Sequence, residues 1–287
     1  MPIKSSMSFQ NNIFFQKVKD YSVSKEIFEL HHNPEYDLLM TFPKPSLDKL
    51  PSYYESDDYI SHTDGKRSLF ERVYHFIKGI ALKNKLKLIN AQSAKGKLLD
   101  IGAGTGDFLV VAKNDGWNIT GIEPSAKAKG IAINKGVNFA DSLSDLESHS
   151  FDIITMWHVL EHVPNLEDYL SELKRLIKPT GTIIIAVPNF KSFDANFYGR
   201  HWAAYDVPRH IWHFSKTAIE KLFEEKGIQL TAVLPMKFDS FYVSLLSEKY
   251  KTGRMNFIRA FFVGLKSNLN GKKTKEYSSH IYILKNQ

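Results

Sequence analysis

Cysteine is absent from the 287 residues, which excludes disulfides, thiolate zinc sites and cysteine nucleophiles. No run approaches the roughly 20 apolar residues that a membrane span needs. The opening stretch, MPIKSSMSFQNN, has no apolar core of signal-peptide length, so a soluble cytoplasmic protein is expected. Internal repeats and low-complexity tracts are also missing. Acidic residues are scarce at one end: from Glu248 onward nine Lys or Arg face two Glu, which accounts for the whole formal charge of +7. The remainder of the chain is close to neutral. Hydrophobic residues make up 43% and aromatics 13%, enough for a large packed core.

The chain divides by pattern. Residues 1–65 read as an irregular segment of loops and short helices, with three prolines in FPKPSLDKLPSYYESDDYISH. Leu69, Val73, Phe76 and Ile80 recur at helical spacing and predict a helix running to Asn90. Strand-like and helix-like stretches then alternate: KLLDIG, DFLVVAKNDG, NITGIEP, AKAKGIAINKG, VNFAD, FDIITMW, a helix over 165–178, and GTIIIAVPN. IQLTAVLP and HIYILK complete seven strands. The alternation predicts an α/β fold with a doubly wound, mostly parallel sheet of seven strands over residues 66–287. Two insertions interrupt it: an aromatic loop at 190–213 and a basic segment at 237–276.

The first strand–helix turn reads LLDIGAGTGDFL. Its glycines, Gly102, Gly104 and Gly106, let a ligand approach the backbone closely. The dinucleotide pattern G-x-G-x-x-G would require a glycine at 107, where Asp107 stands. An acid at the head of that helix repels a pyrophosphate and suits a cationic, phosphate-free ligand. Glu123 closes the second strand, 23 residues after Asp100, a spacing at which a carboxylate accepts ribose hydroxyls.

LLDIGAGTGDFL, ITGIEPS, FDIITMWHVLEHVPN and LIKPTGTIIIAVPN together resemble the class I S-adenosylmethionine-dependent methyltransferases, in particular the type 23, ubiquinone-methyltransferase-like group. The likeness spans about residues 70–235, and YDVPRHIWHFSKTAIEKLFEEKGI resembles that group's segment after the fifth strand. It implies S-adenosylmethionine as cofactor. Asp100, Gly102, Ala103, Gly104 and Gly106 would line its methionine end, and Glu123 its ribose. Asp141 with Ser142, or Asp145, would meet the adenine, and Trp157 and His158 would border the methionine part of the cofactor and the substrate mouth. Relatives often begin with a cysteine-rich zinc module. Here residues 1–65 are expected to be a metal-free lid or packing segment.

Two clusters are candidates for chemistry. His158, Glu161 and His162 follow the fourth strand; the HxxEH spacing mimics an inverted zinc motif, but the strand-to-helix turn and Pro164 argue against a metal. The second cluster, HWAAYDVPRHIWHF, offers Tyr205 and His210 as catalytic groups, with His210 the first choice for a base. Arg209 would either bind an anionic acceptor or pair with Asp206. The basic stretch 248–275 would either pack on the core or make weak peripheral membrane contact. The expected reaction is methyl transfer to O, N or C of a small-molecule, glycan or lipid-type acceptor. A nucleic-acid acceptor is disfavoured, because no N-P-P-Y-type tetrad is present. A nicotinamide-dependent oxidoreductase and a non-catalytic S-adenosyl-binding protein are the rival readings. The sequence sets no oligomeric state.

Overall fold

The computed structural model describes residues 7, 9–46, 48–54 and 69–286. The chain opens with three strands, β1 (Ile13–Lys19), β2 (Ile27–Asn33) and β3 (Leu38–Phe42). Helix α1 (Leu69–Asn90) leads into the alternating region: β4 (Lys97–Ile101), α2 (Asp107–Asn114), β5 (Asn118–Ile122), α3 (Ala126–Asn134), β6 (Phe151–Trp157), α4 (Leu166–Leu176) and β7 (Ile177–Pro188). Then come α5 (Phe193–Tyr198), the two-residue strand β8 (Trp212–His213), α6 (Lys216–Glu224) and β9 (Ile228–Pro235). Helices α7 (Asp239–Thr252) and α8 (Phe257–Thr274) precede the last strand, β10 (Ser279–Asn286).

The central sheet has six strands in the order β5-β4-β6-β7-β10-β9. β5, β4, β6 and β7 are parallel neighbours, while β10 runs antiparallel to both β7 and β9. The inner strands β4, β6 and β7 are buried on both faces, so their apolar runs split between two cores. Ile154, Ile183 and Ile185 pack with Leu170, Leu173 and Phe223 on the side of α4 and α6. Ile153, Ile184 and Ile283 pack with Leu109, Ala112 and Ala132 on the side of α2 and α3. Each such side chain, fully buried, contributes roughly 1.5–3 kcal/mol. Side-chain caps fix the helix starts: Ser125, Asn165 and Ser215 each accept a backbone N–H from three residues on.

One of the seven expected strands does not form. VNFAD makes a single parallel bridge, Phe139 to Gly121, at the open edge beside β5. Two backbone bonds tie it to β5, Gly121 N to Asn138 O and Ala140 N to Gly121 O. The basic insertion is two helices, α7 and α8.

The N-terminal segment also differs from its irregular reading. β1, β2 and β3 form an antiparallel meander, and β8 from the aromatic loop adds a fourth strand against β3, pairing Leu39 with His213 and Met40 with Trp212. Phe28 and Leu30 on β2 and Leu39 on β3 face a third core with Tyr198, Trp202 and Tyr205. The loops expected across 55–65, and residues 66–68, lie outside the described residues.

Candidate active site

The chain runs from β4 outward to β5, then returns to the other side of β4 as β6. The crevice at the carboxyl ends of β4 and β6 is therefore the switch point where open α/β sheets bind ligands. The glycine loop leaves β4 there and His158 follows β6. The two touch: a Cβ added to Gly102 would lie 2.4 Å from Val159 Cγ2.

The loop's other two glycines serve different ends. Gly104 (φ +54°) faces open space, with nothing within 4 Å of an added Cβ, so here the backbone is bare to the crevice. Gly106 (φ +76°) instead abuts α3, and a Cβ would lie 2.7 Å from that of Ala132. Glu123 reaches back from the end of β5. Its carboxylate accepts the Gly104 and Ser125 backbone N–H groups, both at 2.8 Å. Two backbone bonds leave further lone pairs for hydroxyls of a ribose.

Asp100 is buried under the loop and accepts from Thr155 Oγ1 at 2.6 Å. Burial pushes its carboxyl up to about 6, against the pull of Thr155 and Lys85. Asp107 does not meet the crevice as a bare charge. Lys78 and Lys135 pair with it at 2.6 and 2.7 Å, so the repulsion argued from sequence is largely neutralised. The case for an adenosyl ligand rests instead on Gly104, Glu123 and Trp157. The indole Nε1 of Trp157 is buried with no partner, a donor awaiting an acceptor. Lys85, on α1, lies 4.3 Å over the same ring, and burial lowers its pKa against the raising effect of Asp100 and Asp239. A cationic side chain and an unpaired donor at the crevice suit the carboxylate of an amino-acid ligand such as the methionine end of S-adenosylmethionine.

At the outer edge, Asp141 is 90% exposed and paired with Lys129 at 2.6 Å. Ser142 and Asp145 form a capping box on the next turn, Ser142 N donating to Asp145 at 2.9 Å. Asp141 and Ser142 follow directly on the single β5 bridge at Phe139, whereas Asp145 lies beside Lys97, Asn118 and Thr120 towards the amino ends of β4 and β5.

His158 adopts φ +58°, a left-handed conformation that costs a residue with a Cβ about 1–2 kcal/mol. Its backbone N–H extends the β6–β7 ladder by donating to Ala186 O. Its ring lies between two carboxylates, Glu161 at 3.3 Å and Asp239 at 3.0 Å. Burial favours loss of its proton, but Asp239 and Glu161 outweigh it and hold the pKa up at about 10. His158 is therefore an imidazolium at neutral pH and has no lone pair with which to act as a base. Asp239 begins α7, 81 residues further along the chain.

Behind His158 lies a buried cluster. Glu161 is ionised: burial raises its pKa, but His158, His210 and His162 overcome this and hold it below the usual carboxylate range. His162 donates through Nδ1 to Arg209 O at 3.0 Å. Burial, aided by His210, lowers its pKa to about 4, so it is neutral. His210 donates through Nδ1 to Ala204 O at 2.9 Å, and its Nε2 lies 3.8 Å from Asp206. The two rings meet edge to face at 4.6 Å. Ligand-capable atoms of Glu161, His162 and His210 lie within 4.8 Å of one another. Such donors could hold a divalent cation, but Glu161 is already neutralised by His158, and the set works as a buried charge network.

Tyr205 stands apart from this cluster. Its ring is in the third core, edge-on to Trp202 at 5.0 Å, and burial pushes its hydroxyl pKa up. Its surroundings are those of a packed core residue. Arg209 is likewise committed: it is buried, paired with Asp206 and donating to Tyr53 O at 2.8 Å. Of the sequence candidates, His158 and His210 both border Glu161, while Tyr205 lies in the third core. Sequence reasoning missed Lys85 and Asp239, because neither falls near a motif.

The family model described as a methyltransferase domain, type 23, matches residues 73–233. The chain belongs to this family of S-adenosylmethionine-dependent methyltransferases. Ubiquinone biosynthesis O-methyltransferase of Azoarcus sp. (strain BH72) is 26% identical over 159 residues, 50% of this chain and 68% of that one. Its counterpart from Cupriavidus pinatubonensis (strain JMP 134 / LMG 1197) is 26% identical over 184 residues, 58% and 72% of the two chains. The fold is shared with a Thermotoga maritima methyltransferase (TM-score 0.51, 21% identity, covering 76% of this chain and 98% of that one). It is shared also with Haemonchus contortus phosphoethanolamine N-methyltransferase 2 (TM-score 0.55, 17% identity, 86% and 62%).

Proposed function

We propose that the enzyme methylates a hydroxyl oxygen of a small-molecule acceptor, with His210 as the base. The observation that carries the reading is the network His158–Glu161–His162–His210–Asp206, which begins where β6 meets the glycine loop. The O-methyltransferase names of the relatives support oxygen as the acceptor atom.

S-Adenosylmethionine supplies an electrophilic methyl group on a sulfonium. Asp100, Gly102, Ala103, Gly104, Glu123 and Trp157 would hold it, with Lys85 as a further contact; Asp141 or Ser142 would border the adenine. In that transfer the acceptor oxygen would gain the methyl group and lose its proton. The hydroxyl proton passes to His210 Nε2, and Asp206 stabilises the imidazolium formed. His158 stays charged and orients the site through Asp239 and Glu161. Residues 13–42 and 190–213 form the wall behind this network, a packing role for the N-terminal segment.

The test is product analysis by mass spectrometry with matched acceptors carrying a hydroxyl, an amine or an activated carbon. Methyl ethers are expected. An N-methyl product with the hydroxyl left free would overturn the reading.

A further inference from the structure

Helix α8 is held firmly from one side. Ala260, Val263, Gly264, Ser267 and Gly271 form its buried face. At Gly264 the helix meets α7 so closely that a Cβ would lie 3.0 Å from Phe241 Cα. Buried Asp194 ties the layer together, accepting from Ser267 of α8 at 2.5 Å, from Ser278 at 2.7 Å and from Trp202 at 2.8 Å. Glu248 of α7, also buried, meets Tyr198 and Arg259. The opposite face is therefore fixed outward by packing.

That face is apolar. Phe257, Ile258, Phe261, Phe262, Leu265 and Leu269 are all exposed, Ile258 at 72% and Phe262 at 62%. At 100° per residue they fall on one stripe of an 18-residue helix, about 27 Å long. A soluble monomer rarely leaves such a patch bare. Along one edge run Arg259, Lys266 and Lys273, seven residues apart, and the stripe ends at Lys272. Residues 249–275 hold eight Lys or Arg and no Asp or Glu. A second copy would present the same positive charge to itself. Among the described residues no helix is long and apolar enough to cross a membrane.

We propose that the outward face of α8 docks on an anionic lipid surface, lying in the interface plane with its apolar stripe inserted and its basic edge against the headgroups. The whole hairpin, Asp239–Thr274, lies beyond the matched residues 73–233. It starts at Asp239, the partner of His158, and so sets the crevice beside the lipid. The inference does not depend on the acceptor's identity.

The test is co-sedimentation of the full chain with vesicles of phosphatidylcholine alone or mixed with phosphatidylglycerol, at low and high salt. Binding to the anionic vesicles that salt weakens is expected. Lys272→Gln/Lys273→Gln should weaken it about 25-fold, some fivefold per charge removed. Ile258→Asp/Phe262→Asp should abolish it, with S-adenosylhomocysteine binding by calorimetry unchanged as proof of folding. Absence of binding by the wild type, or equal binding by both variants, would overturn the proposal. So would a solution dimer that Ile258→Asp/Phe262→Asp dissolves, which would assign the face to a second copy.

Discussion

The cofactor side and the acceptor side of the crevice are built differently. On the cofactor side, backbone does the work: bare peptide at Gly104, a turn packed by Gly106, and one carboxylate, Glu123, bonded to two main-chain N–H groups. On the proposed acceptor side, side chains do the work: three histidines and three carboxylates from three separate stretches, His158–His162, Asp206–His210 and Asp239, backed by the strand β8. Backbone sites are encoded locally by glycine spacing. Side-chain networks are assembled by topology, so nothing adjacent in the chain announces them.

Substitutions can break this division. The largest effect is expected at His210. His210→Gln should lower kcat by about 10²–10⁴ if it takes the proton, while leaving S-adenosylhomocysteine affinity intact; stopped or quenched single-turnover assays would read both. Glu123→Ala should act in the opposite sense, weakening S-adenosyl binding by roughly 10- to 150-fold, the value of one or two hydrogen bonds to a charged group. Calorimetry gives that number directly, and unchanged affinity would remove the ribose assignment.

The two glycines sharpen the contrast within the cofactor side. Gly106→Ala should destabilise the fold by about 1–3 kcal/mol, since its Cβ would overpack Ala132 and Val137. Gly104→Ala meets no neighbour, so its unfolding midpoint in urea should fall less while ligand affinity falls more. Equal effects at both positions would erase the distinction.

The smallest effect concerns His158. Its pKa is raised from 6.5 to about 10 on folding, so it binds a proton in the folded state that the unfolded chain releases. The stabilisation is complete below pH 6.5 and is lost as the pH rises towards 10. Thermal melts of the wild type should therefore decline over that window more steeply than those of His158→Gln. Parallel declines would mean that the ion pairs with Asp239 and Glu161 contribute nothing.

The same contrast explains what was legible in the sequence. The apolar runs of β4, β6 and β7 announce buried parallel strands, and Glu123 follows from its distance to Asp100. The meander was hidden because β1 is largely exposed, with the burial of a surface strand. β2 carried a readable signal in the alternation of Phe28 and Leu30 with Glu29 and His31, masked by nearby prolines. VNFAD has strand composition but only one neighbour to bond. Aromatics at 202–213 read as a loop insertion because composition does not tell a loop from a core; pairing with β3 decides it. Asp239 and Lys85 reach the site from 81 residues after and 73 residues before His158, beyond any local pattern.

The separation of the two sides is tested most directly by titrating S-adenosylhomocysteine into wild type, Glu123→Ala and His210→Gln in one calorimetric series. Loss of affinity in Glu123→Ala alone, with His210→Gln matching wild type, is the expected result. Comparable loss in both variants would mean that binding and proton transfer share one set of side chains, and would contradict the division on which the mechanism rests.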